Sequence, residues 1–326
     1  MPKLPAFAFD IDGVLLRGRK AIPQAKAALS LLQSHQVPFI LMTNGGGMTE
    51  AKRTKMVADE IGVAIHESQL VQSHTPIKGM PFDKSERVLV VGGHGDSARE
   101  CAESYGFKDV VLPVDLVSLK PSISPHHAIS PHNLQAWSRD ISSSIKRPFS
   151  AVMVFNDPRD MNTDMQIIQD VLNSEGGVIG TVRRQRSGEP TVPIIFSNND
   201  FVWANDYPVP RFGQGMLRMC VERVYYELNQ QGLKSTILGK PFKVQYDYAS
   251  KVLASLGVKG DQNVYMVGDN PASDILGANS YGWRSMLVRT GVFRDEDAEY
   301  AEALPSDGIH DNVLEAVEHA LKAEGV

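Results

Sequence analysis

The run Ala6-Phe7-Ala8-Phe9-Asp10-Ile11-Asp12-Gly13 constrains this chain more than any other stretch. A short apolar strand ends in two carboxylates one residue apart, with a glycine directly behind them. Residues two apart in an extended chain point to the same side, so Asp10 and Asp12 are expected to face one pocket. Two unit charges about 4 Å apart repel by roughly 4 kcal/mol at an effective dielectric of 20. A bend at Gly13 lets one carboxylate and a neighbouring carbonyl converge on a cation, and a metal ion is the simplest way to offset the repulsion.

At 326 residues the chain exceeds one ordinary domain, so two domains or a core with a large insertion is expected. A hydrophobic content of 42% supplies a sizeable core, and the net charge of −5 argues against a general nucleic-acid binder. No apolar stretch reaches the length of a membrane span and no signal-type segment opens the chain. The first strand starts so near Met1 that no transit peptide is expected. Cys101 and Cys220 are the only cysteines, which predicts no disulfide framework and a reducing, cytoplasmic setting.

A second buried strand is expected over residues 37–42, apolar on both faces as in a parallel sheet covered by helices. It ends in Thr43-Asn44-Gly45-Gly46-Gly47, and a helix over 49–61 follows, an arrangement whose free N–H groups suit an anion. Further strands are expected at 69–73, 87–91, 151–155 and 194–197. Gly92-Gly93-His94-Gly95 resembles half of a dinucleotide fingerprint but lacks the full pattern, so a plain strand-to-helix turn is the reading preferred. Residues 122–148 read as a Ser/Pro-rich loop, and the spacing of His126, His127 and His132 fits no zinc site. Arg183, Arg184 and Arg186 read as a solvated face, and Asn198-Asn199-Asp200 as a polar loop beside a cleft. Gly213 and Gly215 suggest a hinge before a helix over 216–229.

The strand at 236–238 runs into Gly239-Lys240-Pro241, where the proline keeps Lys240 extended. The strand ending at Gly268-Asp269 precedes Asn270-Pro271, which reads as a helix start, with Asp274 in its first turn. A last strand is expected at 284–288, then an acidic loop and a closing helix. Four strands thus end in Asp10 with Asp12, Thr43 with Asn44, Lys240, and Asp269. In an open, doubly wound parallel sheet, the crevice outside the carboxyl ends of the strands at a reversal of strand order is where sites form. Coincidence at four strand ends is hard to sustain as chance.

This set resembles the haloacid dehalogenase (HAD) superfamily, whose four motifs are matched in order by Asp10-Ile11-Asp12-Gly13-Val14, Thr43-Asn44, Gly239-Lys240-Pro241, and Gly268-Asp269 through Asp274. The insertion between the second and third motifs looks like the C2 cap of class IIA, the nitrophenylphosphatase-like and NagD-like subgroup. Ser73-His74-Thr75-Pro76, Asn156-Asp157-Pro158 and Gly268-Asp269-Asn270-Pro271 look like its cat-eye-syndrome critical-region branch. The resemblance implies an α/β fold, a Rossmann-like core at 1–82 and 211–326, with an α/β cap at 83–210.

It also implies Mg²⁺-dependent phosphomonoester hydrolysis on a small phosphorylated metabolite. Asp10 would be the nucleophile that forms an aspartyl-phosphate, and Asp12 the acid and base. Thr43 and Asn44 would hold phosphoryl oxygens, and Lys240 would neutralise charge. Asp10, the Asp12 carbonyl and Asp269 would hold the metal, with Asp274 orienting the groups around it. Asn198 and Asp200 are the expected substrate contacts from the cap. No nucleic-acid or membrane partner is expected and a homodimer is left open, while relatives of the branch point to mitochondria as a second location. The alternatives are a binding or regulatory protein with little turnover, a dehalogenase, in which Asp12 and the metal acids would be surplus, and a phosphomutase.

Overall fold

The computed structural model describes residues 4–326 as two parallel sheets, each sandwiched between helices. The first has six strands in the order Ile309–His310, Arg284–Val288, Val264–Gly268, Ala6–Phe9, Phe39–Met42 and Leu70–Val71. Every neighbouring pair is parallel. Ala6–Phe9 is wholly buried, and its side chains alternate as a strand requires. Phe7 and Phe9 enter a core with Leu29, Val57 and Val317 from three helices, whereas Ala6 and Ala8 face Tyr246, Ala249 and Leu253. The small alanines on that side leave room for the bulky tyrosine. Strand order reverses beside Ala6–Phe9, which places a crevice at its carboxyl end.

The second sheet runs Thr236–Ile237, Ile194–Phe196, Phe149–Val154, Arg87–Val91 and Asp109–Val111, again all parallel. The chain enters this sheet at Arg87–Val91, and packing ties the segment beyond residue 211 to it. The helix Gln214–Asn229 buries Leu217, Val221 and Tyr225 against Ile167, Ile168 and Val171 of the second unit. Thr236–Ile237 then pairs with Ile195 and Phe196. Lys240 therefore follows a strand of the second sheet rather than of the first, and reaches the crevice from the junction between the two. Gly215 serves close packing there, since a Cβ at that position would lie 2.4 Å from the Asn199 carbonyl oxygen. Residues 122–148 contain the helix Pro131–Trp137, and Ile309–His310 adds an edge strand after the one expected to be last.

Buried polar groups join the two units. His74 stacks on Phe155 with ring centroids 4.9 Å apart and shares a hydrogen bond of 2.7 Å with the Tyr105 hydroxyl. Its Nε2 accepts the Gly47 N–H at 3.0 Å. Burial pushes His74 down to about 4, against the pull of Glu50, so the ring is neutral and able to accept that bond. Tyr105 also donates to Glu50 at 2.6 Å, and the Ser73 and Ser197 hydroxyls meet at 3.2 Å. These contacts seat the second unit over the crevice of the first.

Candidate active site

A cavity of about 280 Å³ lies between the units, and its floor is formed by the strand ends that the sequence singled out. Asp10 follows Ala6–Phe9 directly, and its N–H donates to the Val267 carbonyl at 3.0 Å, which extends the sheet by one residue. Lys240 Nζ lies 2.6 Å from Asp10 Oδ1 and 2.6 Å from Asp274 Oδ1. Asn44 clamps the backbone of that lysine from both sides. Its Oδ1 accepts the Lys240 N–H at 2.7 Å and its Nδ2 donates to the Lys240 carbonyl at 2.9 Å. Thr43 Oγ1 accepts the Gly45 N–H at 2.9 Å, which shapes the turn after Phe39–Met42.

Asp269 is held by the Val292 N–H at 2.7 Å. It packs against Gly13, whose φ of +97° suits glycine and where a Cβ would lie 2.3 Å from Asp269 Oδ2. Asp274 lies in the helical turn Pro271–Ile275, and its Oδ2 accepts the N–H groups of Asp269 and Asn270 at 3.1 and 3.0 Å. Carboxylate oxygens of Asp10, Asp269 and Asp274 lie within 4.8 Å of one another. Asp274 is thus a full member of the acidic cluster rather than a peripheral group.

Three buried acids against one lysine leave an excess of negative charge. Burial pushes Asp10 up to about 8, with Lys240 pulling it back and Asp274 and Asp12 adding to the rise. Asp269 is held well above the carboxylate range by burial, then by Asp10 and Asp274. Burial works against the charge of Lys240, but Asp10 and Asp274 outweigh it and keep the ammonium protonated. A compact, buried set of oxygen donors with surplus negative charge fits a hard divalent cation.

Asp12 stands apart from that cluster. Its Oδ2 lies 3.2 Å from an Arg53 guanidinium nitrogen, and both side chains are about one-fifth exposed. Arg53 belongs to the helix Glu50–Ile61, and nothing in the periodicity of that helix announces it as a site residue.

The second unit lends Asn156, Asp157, Arg159, Asp200 and Trp203 to the cavity. Asp200, expected to contact substrate, faces the core: burial pushes it up to about 7, while Lys240, Asn44 and Ser273 favour its charged form. Asn198 also lines the cavity, but its Oδ1 accepts the Asp200 N–H at 2.7 Å and its N–H donates to Gln214 at 3.0 Å. Those bonds make it a support for Asp200. Asp157 carries a buried Oδ1 with no hydrogen-bond partner among the described residues.

Comparison with known proteins shows the family. A family model described as haloacid dehalogenase-like hydrolase matches residues 7–108, and a HAD-hydrolase-like model matches 237–316. A mitochondrial hydrolase of Saccharomyces cerevisiae, YKR070W, is 44% identical, over 97% of this chain and 95% of its own. This chain belongs to the HAD superfamily. Among solved structures, the HAD chain resembles a 4-nitrophenylphosphatase of Thermotoga maritima at a TM-score of 0.64 and 17% identity, covering 97% of each chain. NagD of Escherichia coli gives a TM-score of 0.59 at 18% identity, over 96% of this chain and 98% of that one. These likenesses extend across both units and show a shared fold. Among the described residues no helix is long and apolar enough to cross a membrane.

Proposed function

We propose that this HAD protein is a Mg²⁺-dependent phosphomonoester hydrolase acting through an aspartyl-phosphate on Asp10. The observation that carries the reading is the Lys240 ammonium 2.6 Å from both Asp10 and Asp274, with Asp269 completing the acidic cluster. Asp10 Oδ attacks phosphorus and the ester oxygen leaves, so one hard displacement becomes two easier ones. Asp12, outside the cluster and paired with Arg53, supplies the proton to the departing oxygen and takes one from the water that cleaves the acyl phosphate. Thr43 and the backbone at Asn44 hold phosphoryl oxygens. Lys240, fixed through its own backbone by Asn44, neutralises charge as it develops. Asp10, the Asp12 carbonyl and Asp269 would hold Mg²⁺, with Asp274 orienting the groups around it. When bound, the ion offsets the repulsion between an anionic nucleophile and an anionic phosphate.

The cavity of about 280 Å³ lies at the small end of ligand sites, which favours a compact phosphate ester. The names of the relatives support the same reading: the yeast protein is called a hydrolase and the Thermotoga protein a 4-nitrophenylphosphatase. The word mitochondrial in the former supports that location as a proposal for this chain.

The deciding experiment is phosphate release from a panel of aryl, sugar and nucleotide phosphates with and without Mg²⁺. Chelation is expected to abolish turnover and Mg²⁺ to restore it. Thermal unfolding should move with it, because an ion at roughly a hundredfold its Kd stabilises by about 2.7 kcal/mol. Turnover indifferent to chelator would overturn the metal assignment, and no release from any ester would overturn the hydrolase. For Asp200→Ala, the order of kcat/KM among substrates is expected to change by about tenfold, the size of one lost charged hydrogen bond. A uniform loss across the panel would instead make Asp200 a general seal between the units.

A further inference from the structure

A second crevice lies wholly within the capping unit. Arg87–Val91 is flanked by Asp109–Val111 on one side and Phe149–Val154 on the other, so the order of the second sheet also reverses there. At the carboxyl end of that strand, where a doubly wound sheet forms its crevice, lies the turn Gly92-Gly93-His94-Gly95. Gly92 and Gly93 have φ of +93° and +83°, and the Gly93 N–H donates to the Asp157 carbonyl at 3.1 Å. The turn is thereby held open around a cavity of about 100 Å³ lined by His94, Leu112, Ile129, Trp137 and Asp164. An apolar cavity of about 150 Å³ admits benzene, so this smaller crevice encloses one ring at most.

Two walls have distinct chemistry. Trp137 meets His94 edge-on at 5.4 Å and approaches Gly95, where a Cβ would lie 3.3 Å from the indole Nε1. Opposite in character is Asp164, which is only 7% exposed. Its N–H is used by the helix, donating to the Asp160 carbonyl at 2.9 Å, while no hydrogen bond figures among the groups that act on its carboxylate. Burial pushes it up to about 7, with Asp160 adding to the rise and Arg159 opposing it. Asp160 and Thr163 beside it are engaged. Asp160 accepts the N–H groups of Thr163 and Ala128 at 3.2 and 2.9 Å, and the Thr163 hydroxyl is bonded to Asp160 and Ser124, both at 2.8 Å. A carboxyl that is mostly buried, has no protein partner and lines the crevice is free to accept donors from whatever enters it.

We propose that this crevice is a binding site for a single-ring nitrogen heterocycle bearing paired N–H donors, of the aminopyridine or aminopyrimidine type. The ring lies against Trp137 between Leu112 and Ile129, and its N–H groups meet the Asp164 carboxylate. Arg159 lines both this crevice and the active-site cavity, so the two sites share a wall. The site does not depend on the hydrolase reading.

The test is titration of the full chain with 2-aminopyridine, followed at the indole N–H resonances of its three tryptophans by heteronuclear NMR, with Trp137→Phe providing the assignment. The expected result is a saturable shift of the Trp137 resonance, while Trp203, which lines the active-site cavity, stays in place. Asp164→Asn should weaken binding at least about tenfold, as expected for a lost charge-assisted hydrogen bond. Ile129→Trp fills the crevice from its half-buried rim and should abolish binding without disturbing a buried polar group. Should Asp164→Asn fail to fold, the filling variant decides alone. No saturable shift at Trp137, a shift at Trp203 only, or unchanged affinity in Ile129→Trp would each overturn the site.

Discussion

Replacing Asp10 with Asn is expected to reduce turnover of 4-nitrophenyl phosphate by on the order of 10⁴-fold or more, the scale seen when a covalent nucleophile is removed. The change is nearly isosteric and sits at the end of a strand whose backbone pairing it leaves alone. The backbone N–H at that position still donates to Val267, and Lys240 keeps Asp274 as a partner. It also removes a carboxyl whose ionisation burial, Asp274 and Asp12 already oppose. Thermal stability in chelator should therefore hold or rise, so that loss of activity cannot be ascribed to unfolding. The wild-type protein, quenched in acid during turnover, should carry a phosphoryl group on the peptide containing Asp10, and the Asp10→Asn variant none. Full activity in a folded Asp10→Asn protein would remove the covalent mechanism altogether.

How far the sequence reaches toward this site depends on the kind of residue. Asp10, Thr43, Asn44 and Asp269 are legible because each ends or follows an apolar strand, and a parallel sheet gathers such ends at one edge. Lys240 is legible as a site residue but not as to its route. The pairing of Thr236–Ile237 with the second sheet depends on the helix Gln214–Asn229 finding its apolar face there, which periodicity alone does not direct. Arg53 leaves no trace in the sequence, since a guanidinium on an exposed helix reads as a solvated face until the fold brings Asp12 to it. The Glu50, Tyr105 and His74 network is equally silent, being assembled from three separate segments. Gly92-Gly93-His94-Gly95 is correctly read as a strand-to-helix turn, yet the unpartnered Asp164 beside it needs coordinates to be noticed.

Asp12 supports a prediction that separates its chemistry from that of Asp10. Its carboxylate lies outside the acidic cluster and faces Arg53 at 3.2 Å, so its removal should spare metal affinity while disabling proton transfer. Asp12→Asn is expected to lower kcat/KM for an alkyl phosphate by about 10²- to 10⁴-fold, the usual range for a lost general acid. An alkoxide is a poor leaving group and needs the proton. For 4-nitrophenyl phosphate the first step should suffer far less, because nitrophenolate departs without one. Hydrolysis of the acyl phosphate then becomes limiting, and the variant should show a burst of nitrophenolate, close to one per enzyme, followed by slow turnover. The Mg²⁺ dependence of thermal unfolding should match that of the wild type. Equal losses on aryl and alkyl esters, without a burst and with weakened Mg²⁺ stabilisation, would place Asp12 among the metal ligands through its side chain. Arg53 would then be the counter-ion of a metal-binding carboxylate rather than the partner of an acid.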